Sequence, residues 1–451
     1  MKKRVLSVFL VGILAMGLTA CSGSGGASVD TQSGEEASGE EEWPEVTIEY
    51  WNQNSAAQGE AVTNALIEEF NKTNGKNITV VNKFITNQYQ GIATELQTAL
   101  MTGEYPGVVQ CGYSYLNYFA DNFADYVTMP DELVEKYAPE DQGLYQSMFD
   151  ERTLSLATAA NGTLMGLPYA ASCPILYYNA DLFEKAELDP DNPPKTYDEL
   201  IEQASIITEK TGKKGFYLQS IADTWPNIPM ILSTGTSLYE MKDGKAVATF
   251  GTPEVVAAWE KLQKPYKDNV TVNINLEEGG SAFVSGEFGM CITTSARIAT
   301  FQENSNFDLR ATAYPVTSEG DERAVCVGGN LVMVVAGEDE AKNRACWEFL
   351  KFMYSDPSVS AWVQDTGYLP VTQGVTERDD DLAAHFESNP LAAVALESWE
   401  NAAVQWPSWP GENGLQVEQI MVDMRDKILT NFEEPGSVIE DAQNQINDLL
   451  K

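Results

Sequence analysis

Between Val46 and Gly112 the chain alternates between strand-like and helix-like hydrophobic spacing, and that alternation limits the architectures open to it. VTIEYW, residues 46–51, places apolar side chains at every second position, as a half-buried strand does. QGEAVTNALIEEFNKTNG follows, with Val62, Leu66 and Phe70 on one helical face and Gly75 as its stop. NITVVNKF is strand-like again. YQGIATELQTALMTGEYP puts Ile92, Leu96 and Leu100 on one face, and GVVQCG reads as a short, wholly apolar strand. Strands alternating with helices predict a parallel sheet with helices on both faces, because parallel neighbours need a crossover of helix length. In such sheets ligands sit beyond the carboxyl ends of the strands. Two of these strands end in aromatics: Trp51, and the group Tyr113, Tyr115 and Tyr118.

A second α/β unit is predicted downstream. In PPKTYDELIEQASIITEKTGKK, Thr196 is placed to cap a helix, with Glu199 completing a capping box. GFYLQS reads as a strand, and GTPEVVAAWEKLQKPYKDN as an amphipathic helix with Pro253 in its first turn. SAFVSGEFGMCITTSARIATF reads as helix, turn and strand, ending in Thr293, Thr294 and Ser295. VGGNLVMVVAG is a strand reached through Gly328 and Gly329. Two helices and a loop follow it, and the C-terminal part carries a Trp-Pro-rich loop and two helices. A chain of 451 residues exceeds what one core usually fills, so two domains are expected. LMGLPYAASCPILYYN, residues 164–179, carries a Gly-Leu-Pro lead-in, small residues and two adjacent tyrosines. A plain core strand needs none of these, which raises the question of whether the chain crosses between the units here and whether something binds there.

The formal net charge of −39 leaves nothing to neutralise phosphates, which excludes nucleic acid as a partner. Five cysteines, Cys111, Cys173, Cys291, Cys326 and Cys346, are widely spaced and odd in number, so buried free thiols are expected. One histidine, His385, removes the main participant of zinc sites and Ser-His-Asp chemistry. No cofactor or metal is expected. The N-terminus reads as a targeting segment: Lys2, Lys3 and Arg4, an apolar stretch too short to span a bilayer, then Leu18-Thr19-Ala20-Cys21. The Gly-, Ser- and Glu-rich run after it has nothing to bury and reads as a flexible tether.

Leu18-Thr19-Ala20-Cys21 resembles the lipobox of bacterial lipoproteins, which implies cleavage before Cys21 and a diacylglycerol on its thiol. GLPYAASCPILYYNADLFEKAELDPDNPPKTYDEL resembles the central signature of the extracellular solute-binding proteins of ABC importers, in the group for sugars and glycerol phosphate. GEFGMCITTSARIATF, VGGNLVMVVAG and DTGYLPVT are similar to later blocks of that family, in the same order. The resemblance implies an α/β, two-lobed, periplasmic-binding-protein-like fold with a ligand cleft between the lobes and several interlobe crossings. It implies crossings just before or at Gly166-Leu167-Pro168, near Asn306–Ala311 and near Ser355. Residues 45–165 and 308–355 would form lobe 1, and residues 166–307 and 356–451 lobe 2. Residues 1–20 would be the signal peptide, and 21–44 the lipidated cysteine and linker.

Ligand positions carried over from the family are Tyr89, Tyr113, Ser172, Trp225, Ser295, Gly329 and Tyr368, with Trp51, Trp406 and Trp409 as weaker candidates. Tyr113 stands where glycerol-phosphate binders have Glu, and Pro410 where they have Arg; no Arg or Lys lies between Ala402 and Arg425. The implied protein is a non-enzymatic, lipid-anchored binding component on the extracytoplasmic face of the cell membrane. It would close on a carbohydrate or polyol and pass it to the permease subunits. Alternatives are a glycerol-3-phosphate or glycerophosphodiester binder of the same class, a secreted glycoside hydrolase, and an adhesion lipoprotein without a small ligand. The hydrolase would need two carboxylates roughly 5–9 Å apart in the cleft. Cys21→Ser is expected to move the protein from the membrane fraction to the medium; fractionation and immunoblotting check this, and unchanged membrane association would refute the anchor.

Overall fold

The structure, a computed structural model, describes residues 43–220 and 224–451. The signal peptide, Cys21 and the linker up to residue 42 lie outside the described residues. The first alternating stretch folds as its spacing predicts, into β1 (Val46–Asn52), α1 (Glu60–Thr73), β2 (Ile78–Phe84), α2 (Gln88–Thr102) and β3 (Gly107–Gly112). β1 pairs in parallel with both β2 and β3. Val62 and Phe70 of α1 are buried, and Ile67 rather than Leu66 completes that face. Ile92, Leu96 and Leu100 of α2 are all buried.

The later strands are β4 (Leu167–Ser172), β5 (Pro174–Asn179), β6 (Lys214–Leu218), the hairpin of β7 (Tyr239–Lys242) and β8 (Lys245–Ala248), β9 (Phe288–Thr294), β10 (Leu309–Ala313), β11 (Val325–Cys326), β12 (Gly328–Val335) and β13 (Ala403–Val404). They build two main sheets, one in the order β2-β1-β3-β12-β4 and the other β10-β5-β9-β6. β3, β4, β5, β9 and β12 are buried along their whole length, because helices cover both faces of each sheet. The helix Tyr197–Thr211 carries the predicted capping box between Thr196 and Glu199. The helix Pro253–Lys267 starts from a Thr252 cap with Pro253 in its first turn. All five described cysteines are buried free thiols.

Sheet membership moves two of the expected crossings. β4 belongs to the first sheet and β5 to the second, so the chain changes sheet at Cys173, downstream of Gly166-Leu167-Pro168. Gly166 is small for another reason: a Cβ there would stand 2.2 Å from the Val332 carbonyl oxygen, where the chain runs against β12. β10 still pairs with β5, so the return falls between Ala313 and Gly328 rather than at Asn306–Ala311. Near Ser355, the helix Glu340–Met353 packs on β1 and β3, whereas the helix Asp356–Thr366 touches both α1 and the helix Ile298–Asn304.

Ser295 fastens the first passage. Its backbone N–H donates to the Cys173 carbonyl at 2.9 Å, and its Oγ accepts from the Cys173 N–H at 3.3 Å. The second passage meets the first at the start of β12. There Gly329 has φ +118°, and a Cβ would lie 2.0 Å from the Ala170 carbonyl oxygen. Gly329→Ala is therefore expected to cost roughly 2–4 kcal/mol of folding stability through backbone strain and overlap together. Urea unfolding measures this, and an unchanged midpoint would show that the strand relaxes freely.

Candidate ligand-binding cleft

β1, β2, β3 and β4 run in one direction, and their carboxyl ends open on the same space as the carboxyl ends of β6 and β9. The space has two connected parts, which share Gln53, Gln58, Gln88 and Leu276. The outer chamber has a volume of about 640 Å³, between the segment after β2 and the start of the helix Leu276–Val284. The inner cavity, about 40 Å³, lies deeper, between Ser172 and Gly329 of the first sheet and Gln219 and Thr294 at the ends of β6 and β9.

Aromatic rings wall the inner cavity. Trp225 and Trp406 stack at 6.0 Å with an interplanar angle of 27°. Trp225 is held by its Nε1–H, which donates to the Cys326 carbonyl at 3.0 Å. Gly328 lets the indole reach the backbone, since a Cβ there would lie 2.6 Å from the ring. Tyr368 is backed by Trp362, stacked at 5.1 Å and 11°. Flat faces with polar edges suit the apolar face and hydroxyl rim of a sugar ring.

Amides supply the hydrogen-bonding groups. Gln110, in the strand read as wholly apolar, is fully buried and organises the end of the first sheet. Its Nε2 donates to Tyr50 Oη at 2.7 Å and Asn54 Oδ1 at 3.2 Å, while its Oε1 accepts from the Gln53 N–H. Gln53 Nε2 in turn donates to Tyr89 Oη at 3.3 Å. Across the cavity, Gln219 Oε1 accepts from the Thr293 hydroxyl and from the Thr294 N–H. Burial raises the Tyr89 hydroxyl well above its ordinary pKa and pushes Tyr368 up to about 12, so both stay neutral near physiological pH.

Among the described residues, none lining the inner cavity is charged. The outer chamber includes the carboxylates Glu277 and Asp426, each paired with an arginine: Arg297 at 2.7 Å and Arg425 at 2.9 Å. Among the described residues, no carboxylate pair of a glycosidase stands in the inner cavity.

Five of the seven predicted site residues, Tyr89, Ser172, Trp225, Gly329 and Tyr368, line the inner cavity. Ser295 does not; it is fully buried and engaged with Cys173, and its neighbour Thr294 lines the cavity instead. Tyr113 lies behind the wall, 1% exposed. Of the weaker tryptophans, Trp406 lines the cavity. Trp51 is tied to Glu49 and Lys83, and Trp409 packs on Tyr239. Pro410 borders a separate surface hollow. His385 is half-buried on the helix Asp380–Ser388 and lines neither part. Gln53, Gln58, Gln88 and Gln219 were not predicted. Their position just past strand ends, as in WNQNSAAQ and YLQS, is the signal that points to them.

Residues 65–393 match the family described as bacterial extracellular solute-binding protein. The chain belongs to this family. As an extracellular solute-binding protein it works outside the cytoplasm. It is similar to the sn-glycerol-3-phosphate-binding periplasmic protein UgpB of Pectobacterium atrosepticum, 25% identical over 421 residues that cover 90% of this chain and 91% of the relative. The UgpB of Escherichia coli (strain K12) is 24% identical, over 90% of this chain and 93% of its own. In fold the solute-binding protein resembles the UgpB of Mycobacterium tuberculosis solved with glycerophosphocholine, at a TM-score of 0.78 and 20% identity over 90% of this chain and 98% of that one. The maltose-bound MalE3 of T. maritima superposes at a TM-score of 0.75, with 20% identity over 90% of this chain and all of that one. The fold is thus the two-lobed one expected, with the cleft between lobes.

A neutral cavity makes a direct pH prediction. With its tyrosines raised, the affinity of the site for a neutral ligand is expected to vary less than about twofold between roughly pH 6 and pH 9. A phosphate monoester, whose second ionisation falls near pH 6, would respond within that window. Calorimetry across the range separates the two.

Proposed function

We propose that this protein is the substrate-binding component of an ABC importer for a carbohydrate or polyol. It captures the ligand between its lobes by closure and presents it to the permease subunits, and it is held to the outer face of the cell membrane through a lipid on Cys21. The first sheet and its helices form one lobe and the second sheet the other, with the passages at Cys173 and Ala313–Gly328 as hinge segments. The observation that carries the ligand class is the composition of the inner cavity: stacked indoles, a braced tyrosine and side-chain amides, with no charged group among the described residues. Such a wall stacks on a sugar and hydrogen-bonds its hydroxyls, but offers no cation to a phosphate.

A second reading, a glycerol-3-phosphate or glycerophosphodiester ligand, is favoured by the names of the relatives. It also has a physical handle: the first turns of α2 and of the helix Leu276–Val284 border the outer chamber, where their N–H groups could face an anion. Against it stand Glu277 in that same first turn and Pro410 at the position where the family resemblance implies an Arg.

Neutral oligosaccharides and alditols are expected to bind more tightly than sn-glycerol-3-phosphate. Trp225→Ala is expected to weaken that binding by about 1–3 kcal/mol, the range for a buried aromatic contact. Calorimetry with both ligand types tests it. Tight binding of glycerol-3-phosphate with no response to sugars or to Trp225→Ala would overturn the ligand class and leave the solute-binding role standing.

A further inference from the structure

The helix Leu276–Val284 carries two adjacent glycines, Gly279 and Gly280, in its interior. Glycine weakens a helix, so the pair calls for a reason. Gly279 lies on the Tyr217 ring, where a Cβ would stand 2.0 Å from Cζ. Gly280 lies on a charge. A Cβ there would stand 2.7 Å from Arg297 Nη1 and 3.6 Å from the Phe301 ring. The helix is thus pared back on one side to admit a guanidinium.

Arg297 comes shortly after the end of β9, two residues past Ser295. Its side chain is 3% exposed, and its Nε is buried without a hydrogen-bond partner among the described residues. Its Nη2 donates to Glu277 Oε1 at 2.7 Å. Burial raises the Tyr217 and Tyr368 hydroxyls, and the Arg297 charge acts against that rise. Tyr368 lines the inner cavity, so the field of Arg297 reaches the ligand space although Arg297 lines neither part of it.

A buried guanidinium needs a counter-charge, because an unpaired one is strongly destabilising. Glu277 supplies it, from a different environment: its side chain is 60% exposed and lines the outer chamber. The pair therefore has its cation inside the fold and its anion on the chamber wall. Glu277 also stands in the first turn of its helix, where the backbone favours negative charge. Among the described residues, no Lys or Arg lines that chamber. Lys83, beside the lining residue Phe84, is turned onto the Trp51 ring at 3.9 Å. The second lining carboxylate, Asp426, is bound by Arg425 and by Asn273.

This is an anion site that is already filled. A phosphate or carboxylate group of a solute would suit the same guanidinium. It would have to displace a carboxylate tethered in place, and a tethered group competes at high effective concentration. It would also approach Glu277 and Asp426 against like charge. A neutral polyhydroxy solute enters neither competition.

We propose that Glu277 is a specificity-determining residue: its carboxylate occupies a latent anion site on Arg297 at the wall of the outer chamber and so keeps phosphate- and carboxylate-bearing solutes out of the cleft. The inference rests on the reading of the cleft as a site for neutral solutes, and its test separates the two.

Calorimetry at constant ionic strength compares four ligand-free proteins: the parent, Glu277→Gln, Glu278→Gln, and Glu277→Gln combined with Arg297→Met. The probes are inorganic phosphate, sn-glycerol-3-phosphate and gluconate. Glu277→Gln keeps the shape of an exposed side chain and removes its charge. It is expected to bind phosphate and glycerol-3-phosphate at least about tenfold more tightly than the parent does. In thermal unfolding, phosphate should raise the melting temperature of Glu277→Gln and leave that of the parent unchanged. Glu278→Gln removes an equal charge from the next exposed position and should gain nothing. Met can replace a buried Arg whose partner is gone without loss of folding, and it should abolish the gain. No gain in Glu277→Gln by either measurement would overturn the inference and leave the neutral-solute reading standing. An equal gain in Glu278→Gln would overturn it in favour of net charge. A gain that survives Arg297→Met would overturn it in favour of the helix end alone. Tight binding of glycerol-3-phosphate by the parent would refute the neutral-solute reading, and the exclusion with it.

Discussion

The backbone pairing of Ser295 with Cys173 ties the end of β9 to the point where one extended segment leaves the first sheet and joins the second. β4 and β5 flank Cys173 with no loop between them, so the two sheets share a strand direction at that point. The consequence reaches every functional residue. β1 to β4 run parallel to one another, β6 parallels β9, and all of their carboxyl ends are brought to one side. Residues distant in sequence, Gln53, Ser172, Gln219 and Thr294, meet because strands end there. The second passage adds Cys326, whose carbonyl holds Trp225, and then Gly328 and Gly329, whose missing side chains let an indole and a backbone oxygen close in. On the proposed reading, hinge and ligand wall are the same few residues, so a change at one would act on the other.

A net charge of −39, acting at the binding site, would repel anions and attract cations. The cleft is shielded from that field in two ways. The inner cavity is walled by rings and amides, and the carboxylates of the outer chamber are each paired with an arginine that is itself nearly buried. On the proposed reading, selectivity comes from shape and the arrangement of donors and acceptors, and the acidic surface serves solubility. The tyrosines fit this pattern: burial raises their pKa, so they remain hydrogen-bonding groups and do not become charges.

Much of this was legible from residue patterns, and the misses have definite causes. Period and capping predicted the β1–β3 unit and the helix Tyr197–Thr211, because both are local properties of the chain. The crossings were misplaced by several residues because sheet membership is non-local. Nothing in GLPYAASCPILYYN says that Leu167–Ser172 pairs with β12 while Pro174–Asn179 pairs with β9. Ser295 and Thr294 alternate faces of one strand end, so a one-residue ambiguity exchanged a cavity residue for a structural one. Gln110 was hidden because an apolar run with one amide still reads as a buried strand. Trp406 was underrated because its neighbours Pro407 and Trp409 suggest packing, and only the stack on Trp225 distinguishes it.

The hairpin β7–β8 and the loop after β13 show how lobe closure can be opposed and guided by the same contacts. Ser408 accepts from Asn117 Nδ2 at 2.8 Å and from Tyr239 Oη at 2.9 Å, through one carbonyl oxygen, and its hydroxyl donates to the Ser114 carbonyl at 2.8 Å. Asn117 and Ser114 follow β3 of the first sheet, whereas Tyr239 begins the hairpin and packs against Trp409. The strap from Ala403 to Trp409 is thus bonded to the segment after β3 on one side and the hairpin on the other, with Trp406 facing the ligand space between. Across the mouth, the Thr300 hydroxyl donates to the Ala57 carbonyl at 3.1 Å. One neutral hydrogen bond contributes about 1 kcal/mol, far less than the buried bonds of the strap together. Opening should therefore break the mouth first and pivot on the strap and the Cys173 passage, so that Trp406 and Trp225 keep their stack while the space in front of them widens.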